Sequence, residues 1–221
     1  MASRVSGALG EFKQERRTSS IRTIMSTVFF GASERRRRRE WDARVLRAVR
    51  ELELRTPGVT IQVLTGDPAF NTIIAEADQI AMQSRDEEKL QALLYAIQNC
   101  TLPGAPAISV QSFFLRFLND LSTTHLKVLA VLNNPREWLR SRSIGEDRFK
   151  VGTVNSLIQA CLATTLMPTN SSEQIVRSLQ SRGLLQQHKV ETVMGRDSLL
   201  APRTTAMGRQ FLAFIQKPVT V

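Results

Sequence analysis

Apolar residues recur at helical spacing along most of this chain. Ile21, Ile24, Met25, Val28 and Phe29 share one face of a short helix ending near Gly31. A second helix is predicted over 34–54, with Trp41, Val45, Ala48, Val49 and Leu52 as its apolar stripe. Thr56-Pro57-Gly58 stops it. The run "VTIQVL", Val59 to Leu64, is the one clear strand-like stretch. Asp67-Pro68 then reads as an N-cap with proline at the first helical position. Phe70, Ile73, Ile74, Ala77, Ile80 and Ala81 carry that helix. Leu90, Leu93, Leu94 and Ile97 carry the next, and the short break between the two predicts an antiparallel hairpin.

The loop "TLPGAPAI" is the predicted boundary inside the chain. Beyond it, Phe113, Phe114, Phe117 and Leu118 form a dense apolar face, read as core rather than as a base-stacking platform, because Arg116 is the one basic residue beside it. Ser122 caps "TTHLKVLAVL", and Asn133-Asn134-Pro135 ends it. A polar, arginine-rich stretch follows from Arg136 to Lys150. Val154, Leu157, Ile158, Cys161 and Leu162 then mark a helix. Ser171 or Ser172 is the predicted cap of "EQIVRSLQSR", whose inward residues are Ile175, Val176 and Leu179. Gly183 stands where a left-handed turn would stop that helix. Gly195-Arg196 is predicted to turn a hairpin between "HKVETVM" and "DSLLA". Thr204 or Thr205 caps "AMGRQFLAFI".

The phrase "RSLQSRGLLQQ…TTAMGRQFLAFI" resembles the end of bacterial winged-helix domains, through Gly183, Leu184, Leu185, Thr205 and Gly208. The departure is the insert at 136–150 between the first two helices. The expected fold class is mainly α, a helical N-terminal region followed by a winged-helix-like α+β C-terminal domain. The expected organisation is a flexible basic N-terminus over 1–20, a helical region with one short strand over 21–100, and a winged-helix-like domain over 108–217. More loosely, "EEKLQALLYAIQN" followed by "LSTTHLKVLAVLNNP" resembles uncharacterised bacterial proteins of the abortive-infection alpha type, over residues 67–216. That resemblance implies a role in phage defence or in a multi-protein bacterial system, and it carries no catalytic residue.

Charge narrows the partner. The formal net charge is +10 in 221 residues. Residues 1–55 hold 14 Lys/Arg against 7 Asp/Glu, and the remaining 166 hold 16 against 13. A basic arm on a near-neutral body points to an anionic partner. The run "SERRRRREWDARVLRAVRELEL" concentrates that charge. Five helical residues sweep about 500°, so five arginines cannot share one face. Carboxylates four residues away, among them Glu40 for Arg36 and Asp42 for Arg38, predict that much of the run neutralises itself. Packing is expected to stop near Trp41, which leaves Arg35, Arg36, Arg37, Arg38 and Arg39 as the candidate binding element.

The helix around Arg177 is the second candidate. Its expected outward set is Glu173, Gln174, Arg177, Ser178, Gln180, Ser181 and Arg182. Gln174, Arg177 and Ser181 suit base edges, and Arg182, Lys189, Arg196 and Arg203 suit phosphates.

Other chemistry is thin. Cys100 and Cys161 make no disulfide framework and read as small hydrophobes in a reducing compartment. His125 and His188 lie at no metal-ligand spacing. "RDEEK" fits a helix start better than acid–base work, and no P-loop or nucleophile elbow is present. No catalytic residue, metal or cofactor is expected. No run nears the ~20 apolar residues of a transmembrane helix. "IMSTVFFGA" is a poor signal core, since it holds Ser26 and Thr27 and lacks a cleavage pattern. The residues thus predict a non-enzymatic, basic, helical protein of the bacterial cytoplasm that acts through binding, its winged-helix-like end and basic arm meeting DNA or a partner protein. The alternatives are a scaffold or regulatory subunit that meets a protein partner or a second copy of itself, and, less favoured, a peripheral membrane effector using 21–30.

Overall fold

The computed structural model describes residues 31–162, 169–187 and 189–218. The predicted loose terminus over 1–20, the helix over 21–29 with its membrane and signal readings, and His188 lie outside the described residues. The chain divides into two compact units, Met1–Leu46 and Arg47–Val221.

The fold is mainly helical, with one small two-stranded sheet among the described residues. Helix α1 covers 31–55. In its second half, Ala48, Val49 and Leu52 are buried, as the stripe predicted, and Trp41 is buried further up. Helices α2 (Ile61–Gly66), α3 (Pro68–Gln83), α4 (Glu87–Asn99) and α5 (Ile108–Asp120) follow. Asp67 caps α3 ahead of Pro68, and Asp86 caps α4. Helices α3, α4 and α5 pack on one another.

Val59 to Leu64 is not the strand its β-branched residues predict. Thr60 caps α2 by accepting from Val63 N, Glu53 Oε1 accepts from Ile61 N at 3.3 Å, and Thr65 Oγ1 returns a bond to Ile61 O at 2.9 Å. Side-chain caps satisfy the backbone locally. Leu64 is the single buried residue of the segment. A preference for strands counts for little without a neighbouring strand to pair with.

The C-terminal part runs α6 (Thr123–Asn133), α7 (Pro135–Ser141), a 3-10 turn (Glu146–Phe149), β1 (Val151–Gly152), α8 (Val154–Cys161), α9 (Thr169–Ser181), β2 (Met194–Gly195), α10 (Arg196–Leu199) and α11 (Ala206–Ile215). Ser122, Asn134, Thr153 and Thr205 supply side-chain caps to α6, α7, α8 and α11. Helix α9 begins at Thr169, so Ser171 and Ser172 lie inside it rather than capping it. The arginine-rich insert is partly ordered as α7 and the 3-10 turn.

Among the described residues, the hairpin predicted between 188–194 and 197–201 does not form. Strand β2 pairs antiparallel with β1, in the register Val151 to Gly195 and Gly152 to Met194. Residues 196–199 coil into α10 instead, burying both Leu199 and Leu200. A strand would turn those adjacent leucines to opposite faces. The Arg203 guanidinium stabilises the coil by donating to the carbonyls of Ser198, Leu199 and Ala201.

Helix α11 joins both halves of the second unit. It packs on α4, α5 and α6. Phe211 and Phe214 lie 5.5 and 5.7 Å from the Phe114 ring. Asn99 Nδ2 sits 2.8–3.1 Å from the carbonyls of Ala213, Phe214 and Gln216, where α11 ends. Elements from both sides of the 100–108 loop therefore share one core.

At its other end α11 meets the segment after α9. Gly183 takes φ +71°, the left-handed turn its position predicts. Leu184 O accepts from Thr205 N at 3.1 Å, and Thr205 Oγ1 donates to Gly183 O at 2.6 Å. Gly208 packs so closely here that a Cβ would overlap the Leu184 carbonyl oxygen. Gly208→Ala is expected to cost about 1–3 kcal/mol, the range for overpacking a tight contact. Urea unfolding checks this, with Gly195→Ala as comparison, because a Cβ at Gly195 meets open space. Equal midpoints for Gly208→Ala and wild type would contradict the contact's importance.

Candidate nucleic-acid interface

Helix α9 buries one side and offers the other. Ser172, Ile175, Val176, Leu179 and Gln180 face inward, and α6 and α8 pack against the helix. Gln174, Arg177 and Ser181 are exposed and recur at i, i+3 and i+7, which is one helical face. Ser178, half-buried, stands beside them. Gln180 does not belong to the outward set. It is buried, and its Nε2 donates to Gln186 O at 3.0 Å.

The polar side chains at the base of α9 fix its position. Asn155 of α8 accepts from Ser172 and donates through Nδ2 to Glu191 Oε1 at 3.0 Å. One amide thus ties α9 to the loop that carries Lys189, which is exposed. Near the other end, Arg182 Nη1 donates to Ser178 Oγ at 2.7 Å and bends back along the helix rather than outward.

Arg203 is a correction. Sequence reasoning offers it to a phosphate, but the side chain is buried and its Nη groups are spent on Leu199, Ala201 and Ser198 carbonyls and on Met194 Sδ. Burial pulls its pKa down. Desolvation of a guanidinium is tolerable here because acceptors surround it. The consequence is structural: Arg203 braces the 194–201 segment.

Several remaining cations already hold an acid. Arg177 pairs with Glu173 one turn earlier. Arg196 Nη2 lies 3.0 Å from Asp147 Oδ1. Arg136 bridges Glu146 at 2.6 Å and Asp197 at 2.7 Å, so the insert and α10 are joined by charge. In the other unit, Arg36 lies 2.8 Å from Glu40 and Arg38 3.4 Å from Asp42. Arg35 and Arg39 are exposed, hold no carboxylate among the described residues, and sit four apart on one helix face. Arg37 is half-buried.

The insert also adds cations that sequence reasoning passes over. Arg140, Arg148 and Lys150 are exposed, and Arg142 stacks on the Trp138 ring at 3.5 Å. The available signal is a charge count: residues 135–218 hold 12 Lys/Arg against 6 Asp/Glu, whereas 56–134 hold 4 against 7. Basic charge is therefore segregated along the second unit.

A cavity lined by Leu132, Val154, Val176, Leu185, Val190 and Arg203 encloses about 10 Å³, room for a single water. No group of three metal-ligating side chains occurs among the described residues. Among them, too, no helix is long and apolar enough to cross a membrane. Both thiols are free. Burial pushes Cys100 up to about 12 and Cys161 up to about 11, so each stays protonated at neutral pH.

Compared with known protein families, curated proteins and solved structures, the chain matches none.

His125 offers a pH test of the α4–α6–α9 neighbourhood. Its Nδ1 lies 2.7 Å from Ser122 Oγ. Burial lowers its pKa below the ordinary 6.5, and the charges of Arg182 and Lys89 add to that. The folded state thus favours neutral imidazole. The stability linked to it is complete above pH 6.5 and is lost as pH falls through the lowered value. Thermal melts are expected to show the unfolding midpoint dropping as pH falls from about 7 to 5, with a flatter profile for His125→Gln. Parallel profiles would contradict this.

Proposed function

We propose that this chain is a non-enzymatic binding protein for double-stranded nucleic acid. The contact is made through the outward face of α9 in a winged-helix-like arrangement and, in the other unit, through the arginine run at 35–39. The single observation that carries the reading is the exposed Gln174, Arg177 and Ser181 stripe on a helix whose opposite side is packed by α6 and α8. Amide and guanidinium groups at this spacing suit base edges and phosphates in a major groove.

Two further features support it. The order α6, α7, β1, α8, α9, β2, α10, α11 has a strand just before α8 pairing with a strand after α9, which supports a winged-helix-like reading with α7 and α10 as additions to it. The basic charge of the second unit gathers in 135–218, an electrostatic footprint suited to a polyanion. The resemblance to abortive-infection-type proteins adds a phage-defence setting to this reading without adding a site residue. A second reading, contact with a protein partner, is favoured by one observation: Val151 in β1 and Val193 just before β2 are each 67% exposed.

Fluorescence anisotropy with a labelled duplex of about 20 base pairs tests the choice. Binding is expected at ~50 mM salt, with log Kd rising linearly with log salt concentration. Arg177→Ala is expected to weaken it about fivefold to 150-fold, the range of about 1–3 kcal/mol for losing one guanidinium contact to the duplex. Absence of binding at ~50 mM salt, where nonspecific affinity is greatest, would overturn the reading and leave the protein-partner alternative.

A further inference from the structure

The cations of the candidate interface are paired in a pattern. Arg177 holds Glu173 and Arg196 holds Asp147, yet neither acid is buried: the side chains of Glu173 and Asp147 are 39% and 88% exposed. Exposed pairs of this kind add little to stability. Helix α9 does not need Glu173 to stay in place, since Ile175, Val176 and Leu179 anchor it. Asp147 sits at the tip of the insert beside Arg148, which is exposed. Both acids occupy the guanidinium groups that a phosphate would take.

We infer that Glu173 and Asp147 are built-in competitors of the nucleic acid, which set the affinity and the salt dependence of the α9 interface. The inference rests on the nucleic-acid reading above. In the free protein each carboxylate neutralises its arginine. On binding, the arginine exchanges carboxylate for phosphate. The phosphate releases a condensed cation, but the vacated carboxylate gathers one from solution, so the net ion release at that contact is close to nil. A free arginine making the same contact releases about 0.9 cation per phosphate on duplex DNA. The carboxylates therefore suppress casual binding to weaker polyanions and admit a duplex, whose charge density of about one negative charge per 1.7 Å is high enough to displace them. The same chemistry stands in the other unit, where Glu40 holds Arg36 and Asp42 holds Arg38.

The test uses the full chain and the same duplex, with Glu173→Gln, Asp147→Asn and a charge-matched control, Asp78→Asn. Asp78 lies on α3, which packs on α4 and α5 rather than on α9. Kd is measured from about 50 to 200 mM salt, and thermal melts verify folding. Glu173→Gln and Asp147→Asn are each expected to tighten binding about threefold to tenfold at the lowest salt and to steepen the log–log slope by about 0.9. Asp78→Asn should leave the slope unchanged. Wild-type binding with unaltered slopes in both interface variants overturns this inference alone. Equal tightening by all three variants also overturns it, since net charge would then suffice. If no protein binds the duplex, the nucleic-acid reading itself falls.

Discussion

The contact between the start of α11 and the carbonyl of Leu184 governs the second unit. Helix α11 can approach only because Gly208 has no side chain there, and Thr205 satisfies the carbonyls of Gly183 and Leu184 at the same point. The exit of α9 is thereby fixed to the entry of α11. Arg203 N donates to Leu132 O at 2.8 Å and Thr204 Oγ1 to Asn133 Oδ1 at 2.8 Å, which adds the end of α6 to the junction. A buried backbone carbonyl left unpaired is costly, so these bonds and the left-handed turn at Gly183 act together. They set the rotation of α9 about its own axis, and hence which of its residues meet solvent.

From that rotation the character of the surface follows. Val176 and Leu179 are committed to the core, so Gln174, Arg177 and Ser181 are committed to the outside. What they present is a polar face with modest free charge, because Glu173 returns to Arg177. Similar restraint marks the insert and α10, where Arg136 and Arg196 commit their charge to Glu146, Asp197 and Asp147. On the proposed nucleic-acid reading, a polyanion would meet such a surface by exchange of partners rather than by bare attraction.

Much of the helical framework was legible in the sequence, because caps and apolar spacing are local signals. Asp67 with Pro68, Ser122, Gly183 and Thr205 act where their chemistry says they should. Non-local pairing was not legible. The residues over 59–64 have strand composition, but Thr60 and Glu53 make the helix the cheaper conformation. Residues 194–195 pair with 151–152, over 40 positions away, rather than with the adjacent segment that a Gly-Arg turn suggests. Arg203 was misread for the same reason: nothing in its neighbours reveals that carbonyls of α10 will close around it. On α9, sequence reasoning put Arg177 and Gln174 on the exposed face, where they lie, but also placed the buried Gln180 there, because a small error in helix phase reverses a residue's face.

One experiment addresses the display of α9 directly: an amide NMR titration of the whole chain with a duplex of about 20 base pairs at low salt. If α9 is the reading element, amide resonances of Gln174, Arg177, Ser178 and Ser181 shift with added duplex, and the methyl resonances of the buried Ile175, Val176 and Leu179, followed in the same titration, move far less. Shifts that spare α9 while the duplex binds elsewhere, or no shifts at all, would contradict the account.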